Sequence, residues 1–171
     1  MEQKENVVLI GMPGCGKSTI GVVLAKVLGY EFTDSDLLIQ KQEGKLLREI
    51  IAEQGEEEFL KIEEAVNAGI HTERHVIATG GSVIYSDKAM QHLKEIGTVV
   101  YLKLSFASIC NRLGNIRRRG VVLKDGQSLK DLYDERTPLY ERYADITIDA
   151  EGYDIEGLMD EVAQALVNTT K

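Results

Sequence analysis

The sequence has few cysteines, few positive charges and no long apolar run, and each scarcity argues against a class of protein. Only Cys15 and Cys110 occur among 171 residues, so no disulfide framework is implied and a reducing cytoplasm fits. The formal net charge of −8 argues against a nucleic-acid binder with a broad basic face. We see neither a membrane-spanning run nor a signal peptide, and we expect a cytoplasmic protein with no membrane or nucleic-acid partner.

The remaining composition is that of an ordinary globular protein. Hydrophobic residues make up 43% of the chain and charged residues 28%. A chain of 171 residues is long enough for one compact domain with a sizeable core. We therefore expect a single domain over 1–171, with no internal repeat and no linker, that acts as a monomer.

One segment near the N-terminus matches a phosphate-binding pattern. The pattern G-x-x-x-x-G-K-[ST] is matched by Gly11, Gly16, Lys17 and Ser18. The apolar run 6–10 before it is typical of a buried parallel strand. The stretch 18–28 after it has a helical apolar pattern and stops at Gly29. This order of strand, glycine loop and helix predicts a phosphate loop.

Such a loop binds a nucleotide through its backbone and a few side chains. Backbone N–H groups and the helix N-terminus converge on the phosphates, and the glycines allow close approach. Lys17 should reach the β- and γ-phosphates, and Ser18 should offer its hydroxyl to Mg²⁺. Cys15 is either a small filler of the loop or a redox-sensitive thiol. The predicted nucleotide-binding residues here are Gly11, Gly14, Cys15, Gly16, Lys17, Ser18 and Thr19.

Strand-like and helical stretches alternate along the chain. The strands are predicted at 6–10, 30–34, 75–79, 98–104 and 145–149. Helices are predicted at 18–28, 35–43, 46–53, 56–70, 87–95, 106–113, 128–142 and 154–167. This alternation predicts a parallel sheet covered by helices, with ligands beyond the carboxyl ends of its strands.

Two carboxylates follow the second predicted strand. Asp34 and Asp36 should lie on the same rim of the sheet as the phosphate loop. One of them can help to hold Mg²⁺, and the other can accept the proton of an attacking hydroxyl. Capping of the following helix is the plainer interpretation, and it is compatible with either role.

Several motifs together resemble the shikimate kinase family of P-loop kinases, over nearly the whole chain. They are the phosphate loop, the Asp-x-Asp of Asp34 and Asp36, Gly-Glu-Glu-Glu-Phe at 55–59, Ala-Thr-Gly-Gly at 78–81, an arginine-rich stretch near 117 and Arg-Thr-Pro-Leu-Tyr at 136–140. The resemblance implies a three-layer α/β/α fold with a five-stranded parallel sheet in the order 2-3-1-4-5. It also implies transfer of the γ-phosphate of ATP, with Mg²⁺, to the 3-hydroxyl of shikimate.

The resemblance also implies a role for each matching residue. Lys17 contacts the phosphates, Ser18 and Asp34 serve Mg²⁺, and Asp36 faces the acceptor hydroxyls. The other implied roles are acceptor contacts for Gly80, Gly81 and Arg136, a place near the adenine for Arg112, and lid closure over ATP for Arg119. The catalytic residues would thus be Lys17, Asp36 and Arg119, with acceptor-binding helices at about 35–70 and a lid at about 112–127.

The arginine-rich stretch supports a lid on physical grounds as well. Four of the eight arginines lie at 112, 117, 118 and 119 in an otherwise acidic chain. A cationic segment beside Gly120 suits a lid that stabilises phosphate charge in the transition state. A solvated basic loop is the alternative.

The departures from the family pattern fall on the acceptor side. Leu60 stands where the family has an arginine that contacts the shikimate carboxylate, and leucine cannot donate hydrogen bonds. Lys61 should point about 100° around the helix, so it is a poor replacement. Ser82 replaces a third glycine, and 121–124 lacks the usual Arg-Pro-Leu. The alternatives are a kinase of a gluconate-like polyol or hydroxy acid, a nucleotide-binding regulator without turnover, and a nucleoside monophosphate kinase, which Leu60 disfavours.

Overall fold

A parallel sheet lies at the centre of the computed structural model, which describes residues 4–113 and 120–169. In these residues five strands form the sheet, in the predicted order β2-β3-β1-β4-β5. The strands are β1 Asn6–Ile10, β2 Glu31–Asp34, β3 His75–Ala78, β4 Gly97–Lys103 and β5 Ile146–Asp149. Val8 in the central strand pairs with Ile77 of β3 on one side and with Val99 of β4 on the other.

Seven α-helices and one short 3-10 turn, Val83–Tyr85, connect and follow these strands in the described residues. The helices are α1 Lys17–Leu28, α2 Ser35–Glu43, α3 Leu47–Ala68, α4 Asp87–Ile96, α5 Phe106–Arg112, α6 Leu129–Tyr143 and α7 Ile155–Thr169. Gly55 is not helical, with φ 86°, so the predicted break between two helices is a kink inside α3. Over 4–113 and 120–169, no helix has the length and apolar character needed to cross a bilayer.

The helices form two groups that pack against the sheet. α1 packs against α7, whereas α4 packs against α3 and the 3-10 turn, which also contacts α6. The crossover through α1 runs from β1 towards β2, and the crossover through α4 runs in the opposite direction, from β3 to β4. Because such crossovers are right-handed, α1 and α4 lie on opposite faces. The fold is therefore the predicted three-layer α/β/α arrangement.

The core sits on the central strand. Every residue of β1 is buried, as expected of a parallel strand that is covered on both faces. A second, smaller apolar cluster lies between α2, α3 and the segment 120–127. Its buried members are Ile39, Leu47, Ile50, Phe59 and Val122. This cluster fixes the helices that form one wall of the site described next.

Candidate active site

A cavity of about 930 Å³ lies at the carboxyl ends of β1, β2 and β3. These ends are level, because Ala78 of β3 pairs with both Leu9 of β1 and Asp34 of β2. The predicted site residues that line it are Gly14, Cys15, Gly16, Lys17, Ser18, Thr19, Asp36, Gly80, Gly81, Arg112 and Arg136. Gly11 and Asp34 do not line it, but they accept hydrogen bonds from Lys17 and Ser18 respectively.

The last glycine of the phosphate loop has a backbone conformation that few other residues adopt easily. Gly16 has φ 103°, in the left-handed region, and it directly precedes α1. Its carbonyl accepts the first hydrogen bond of the helix, from the N–H of Ile20 at 2.8 Å. The N-terminal residues of α1 therefore face the cavity with unpaired N–H groups, as an anion site requires.

Lys17 is buried under the phosphate loop. Its Nζ donates to the carbonyl oxygens of Gly11 at 2.7 Å and Met12 at 3.0 Å. These bonds hold the ammonium at the cavity wall, where it can donate hydrogen bonds to phosphate oxygens. Cys15 is buried, with its Sγ 3.7 Å from the same Nζ, which fits the filler interpretation of this thiol.

Ser18 and Asp34 form a pair of oxygen groups beside the loop. The Ser18 hydroxyl donates to Asp34 Oδ2 at 3.0 Å. Asp34 Oδ1 accepts from the N–H groups of Asp36 at 3.0 Å and Leu37 at 3.2 Å, so the same carboxylate also caps α2. In the described part of the chain, no three His, Cys, Asp or Glu side chains gather as a metal site. Two oxygen groups fit Mg²⁺, which keeps waters and phosphate oxygens as its other ligands.

Asp36 faces the buried carboxylate of Glu63, on α3, across Gly80. Asp36 Oδ1 and Glu63 Oε2 are both buried and have no hydrogen-bond partner among residues 4–113 and 120–169. A Cβ at Gly80 would lie 2.6 Å from the first oxygen and 2.7 Å from the second. Glycine is therefore required at position 80, and the two oxygens converge on one point of the cavity wall. Unpartnered buried acceptors at such a point are suited to hydroxyl groups of a ligand.

Both carboxyl groups hold their protons more tightly than free carboxyls do. Burial, followed by the charge of Asp34, raises the pKa of Asp36 to about 6, and Lys17 opposes the rise. Burial also raises the pKa of Glu63 to about 7, and the charge of Asp36 adds to the rise. The Ser82 hydroxyl and the Arg136 guanidinium lower the pKa of Glu63. Near neutral pH, Asp36 is therefore mostly ionised, while Glu63 is partly protonated.

Arg136 of α6 also lines the cavity and is buried, with 1% of its surface exposed. Its Nε donates to the Tyr85 hydroxyl and its Nη2 to the Val122 carbonyl, both at 3.3 Å. Its guanidinium carbon lies 5.3 Å from the centre of the Tyr85 ring. In residues 4–113 and 120–169 it forms no ion pair; Glu135 and Asp134, its neighbours on α6, bond elsewhere. A buried cation without a paired carboxylate is suited to an anionic ligand.

Leu60 does not line the large cavity. It is half-buried beside a smaller cavity of about 140 Å³, together with Glu63, Ser82 and Tyr85. Lys61 has a 70% exposed side chain and pairs with Glu58 at 2.8 Å. Lys61 therefore does not replace the arginine that the family pattern has at position 60, as expected.

The other end of the cavity lies beside the phosphate loop. Arg112 Nη1 donates to the Cys15 carbonyl at 3.3 Å. Tyr153, on the connection from β5 to α7, and Ile155, the first residue of α7, are exposed and line this end. The predicted lid residue Arg119 lies outside the described residues, as do Arg117 and Arg118.

Sequence reasoning missed Glu63 and Tyr85. Glu63 lies four residues after Phe59 and therefore shares its buried face of α3, a spacing that could have singled it out. Tyr85 follows the glycines in a 3-10 turn, and only the packing of α6 brings it to Arg136. Nothing in the local sequence around Tyr85 indicates that contact.

Comparison with known proteins matches this chain to the family whose motifs the sequence resembles. The sequence profile of the family described as shikimate kinase matches residues 13–167. Curated relatives include the shikimate kinases of Thermodesulfovibrio yellowstonii, 39% identical over 95% of this chain and 93% of that protein, and of Thiobacillus denitrificans, 37% identical over 92% and 88%.

Solved structures agree with the sequence relatives. The shikimate kinase from Acinetobacter baumannii, solved in complex with shikimate, has a TM-score of 0.88 and 31% identity, covering 98% of this chain and 96% of its own. The shikimate kinase from Aquifex aeolicus has a TM-score of 0.83 and 30% identity, covering 96% and 98%. The fold, the phosphate loop and these relatives together show that the chain belongs to the shikimate kinase family, a family of ATP-dependent kinases that use Mg²⁺.

Proposed function

We propose that this chain transfers the γ-phosphate of ATP to the 3-hydroxyl of shikimate. The observation that carries the proposal is the continuity of the large cavity. It joins the phosphate loop and Lys17 to Asp36, Gly80 and Arg136, so a phosphate donor and a small acceptor share one space. The similarity to the Acinetobacter baumannii enzyme, whose structure holds shikimate, supports this acceptor.

The phosphate loop and the rim beside it would hold the nucleotide and the metal. When bound, MgATP supplies the phosphoryl group and neutralises part of its charge. The loop N–H groups and the N-terminus of α1 would receive the phosphates, and Lys17 would give up its bonds to loop carbonyls for phosphate oxygens. Ser18 and Asp34 would serve Mg²⁺ with their paired oxygens. Thr19, next on α1, also lines this wall.

Asp36 is the proposed proton acceptor. A bond forms between the acceptor oxygen and the γ-phosphorus, and the bond from that phosphorus to its bridging oxygen breaks. The hydroxyl proton passes to Oδ1 of Asp36, which accepts no hydrogen bond within the residues that the structure describes. A carboxylate with a pKa of about 6 is ionised at pH 7.5 and still basic enough to assist the transfer.

Arg136 is the proposed partner of the acceptor's carboxylate. Its guanidinium is buried and forms no ion pair in the described residues, so an incoming carboxylate would supply the missing counter-charge. Its Nη1 lies beside Gly81, where a Cβ would approach it to 2.8 Å. Gly81 therefore keeps the route to the guanidinium open. This feature favours an anionic acceptor over a neutral polyol.

The other proposed assignments concern the arginines near ATP, the lid, the acceptor-binding helices and the state of the whole chain. Arg112 and Arg119 would contact ATP, the latter from a lid at about 112–127, and helices at about 35–70 would bind the acceptor. We assign these parts to one domain over 1–171 that acts as a cytoplasmic monomer without a nucleic-acid partner. The net charge of −8 supports the last point.

A second candidate is a kinase of a gluconate-like hydroxy acid. It is favoured by Leu60, which lies outside the large cavity and leaves Arg136 as the one arginine at the acceptor end within residues 4–113 and 120–169. Such an acceptor would still bring a carboxylate to Arg136, but it would need no second cation.

Measurement of ADP formation by the purified chain with MgATP tests both candidates. Shikimate, gluconate and a reaction without acceptor are compared, and the product is identified by ³¹P NMR. We expect rapid turnover with shikimate and slow hydrolysis without an acceptor. Turnover with gluconate alone would establish the second candidate. Absence of single-turnover transfer to either compound would favour a regulator and overturn the proposal.

A further inference from the structure

Ser82 holds Glu63 in a defined orientation inside the acceptor end of the cavity. The Ser82 hydroxyl donates to Glu63 Oε1 at 2.7 Å, and both residues are buried. The other oxygen, Oε2, has no partner in the described part of the chain and faces Gly80 beside Asp36. The hydrogen bond thus determines which carboxylate oxygen is presented to a ligand.

Position 60 lies one helical turn before Glu63 on α3. Residues three apart on a helix are neighbours, so an arginine at position 60 could pair with the Glu63 carboxylate. Leu60 cannot, and it borders the 140 Å³ cavity that Glu63 and Ser82 also line. Within 4–113 and 120–169, Ser82 is the one donor that bonds to the Glu63 side chain. The serine therefore gives this carboxylate a hydrogen-bond donor, which Leu60 cannot provide.

We propose that Ser82 is a positioning residue that compensates for Leu60 by holding Glu63, so that Glu63 receives a hydroxyl of the acceptor. The inference rests on the proposed function. It assigns the acceptor's charge to Arg136 alone and its hydroxyls to Asp36 and Glu63. Recognition thereby depends more on hydroxyl groups and less on charge than with two arginines.

The charges that face Glu63 come from several elements. Asp36 of α2 and Arg136 of α6 both act on Glu63 by their charges, while Lys17 of α1 acts on Asp36. Asp36 raises the pKa of Glu63, and Arg136 and the Ser82 hydroxyl lower it. Loss of the hydroxyl therefore leaves Glu63 protonated to a higher pH.

The test compares Ser82→Ala with Ser82→Thr, which keeps a hydroxyl. We expect Ser82→Ala to raise KM for shikimate about 10-fold, the scale of a lost hydrogen bond to a charged group, with little change in KM for ATP. The acid limb of kcat/KM for shikimate should move to higher pH, and Ser82→Thr should restore the wild-type profile. Ser108→Ala is the control, because the Ser108 hydroxyl also donates to a glutamate, Glu151, and neither residue lines either cavity.

The Ser82→Ala variant in a Leu60→Arg protein shows whether Ser82 compensates for Leu60 or only supports the local structure. In the presence of Leu60→Arg, Ser82→Ala should raise KM for shikimate by less than 3-fold, because the arginine can hold Glu63. An equal penalty in both backgrounds overturns the proposal, as does an unchanged KM and pH profile in Ser82→Ala alone. Ser82→Gly serves the same comparison should the alanine variant fail to fold.

Failure of the proposed function can be distinguished from failure of the Ser82 proposal. If the proposed function is wrong, the wild-type protein does not turn over shikimate, and this is seen before any variant is examined. The Ser82–Glu63 bond is then tested through stability. The measured quantity is the difference in unfolding free energy between the proteins with and without Glu63→Gln, followed over pH. The pH at which this difference changes should be higher in the Ser82→Ala background than in the wild type, and an unchanged pH contradicts the bond.

Discussion

The Nη2 atom of Arg136 donates to the carbonyl oxygen of Val122 at 3.3 Å. Val122 belongs to the segment that follows residue 119, and its side chain packs into the small cluster with Phe59. A second connection runs from the Arg136 guanidinium to the Tyr85 hydroxyl, on to Glu135 and then to Gln127. The proposed acceptor arginine is thus tied to both ends of the segment 122–127.

Loss of the Tyr85 hydroxyl should weaken acceptor binding. Tyr85→Phe keeps the ring over the guanidinium but removes the acceptor of the Arg136 Nε bond. We expect KM for shikimate to rise about 3- to 10-fold, consistent with one hydrogen bond of about 1 kcal/mol, while KM for ATP stays constant. Steady-state kinetics with each substrate varied separately provide the measurement. Equal changes in both KM values would contradict a role confined to the acceptor side.

Removal of the Lys17 ammonium should abolish transfer. Lys17→Ala deletes the cation next to the phosphate loop, and we expect kcat to fall by at least about 100-fold. Lys26→Ala, in the last turn of the same helix, provides a control that changes a lysine away from the cavity. Circular dichroism confirms folding of both variants. Normal turnover by Lys17→Ala would refute the assignment of the loop.

Neutralisation of Asp36 should affect turnover far more than nucleotide binding. Asp36→Asn removes the proposed proton acceptor, so kcat should drop by about 10²- to 10⁴-fold while the Kd for MgATP changes little. Asp34→Asn is the comparison, because its carboxylate bonds to Ser18 and should alter the Mg²⁺ dependence instead. A parallel loss of ATP binding in Asp36→Asn would place Asp36 on the nucleotide side.

Glu63 should make stability depend on pH in a predictable direction. Burial raises its pKa in the folded state from 4.5 to about 7. Its stabilising contribution is then fully present below pH 4.5 and is lost as the pH rises through about 7. Glu63→Gln lacks this loss, so its unfolding free energy relative to wild type should improve by about 3 kcal/mol between pH 4 and pH 8.

Urea denaturation at a series of pH values measures this difference. Glu57→Gln, which changes an exposed glutamate on the same helix, sets the baseline for loss of one carboxylate. Parallel pH profiles for the wild type and Glu63→Gln would contradict a raised pKa in the folded state.

Introduction of an arginine at position 60 should strengthen shikimate binding. Leu60→Arg places a guanidinium in the small cavity next to Tyr85 and Ser82. We expect KM for shikimate to fall about 10-fold, the scale of one charge-assisted hydrogen bond, with KM for gluconate changed less. Leu60→Met, which alters shape without charge, is the control. A preference that shifts towards gluconate would indicate that shikimate is not the natural acceptor.

Local sequence was sufficient to predict the position of the phosphate loop and of Asp34 at the rim of the sheet. The phosphate loop is predictable because its ligands are consecutive backbone groups, and Asp34 because a strand end and a helix start coincide there. The strand order came from family resemblance and not from periodicity. Arg119 remains a prediction from the same resemblance.

The acceptor side was less predictable because it is built from tertiary contacts. A glutamate on a helix is normally solvated, so the burial of Glu63 opposite Gly80 depends on how α3 packs. Whether Arg136 pairs with its helix neighbours or enters the cavity was likewise open in the sequence. The packing of Tyr85 and Val122 decides it in favour of the cavity.

The 140 Å³ cavity beside Leu60 could bind part of a selective inhibitor. A shikimate analogue that carries a compact apolar substituent directed past Ser82 would occupy this space against the leucine. The arginine that the family pattern has at this position would oppose the same substituent by bulk and by loss of its hydration. A compound of this kind would therefore distinguish the present enzyme from relatives that follow that pattern, although both act through the same phosphate loop.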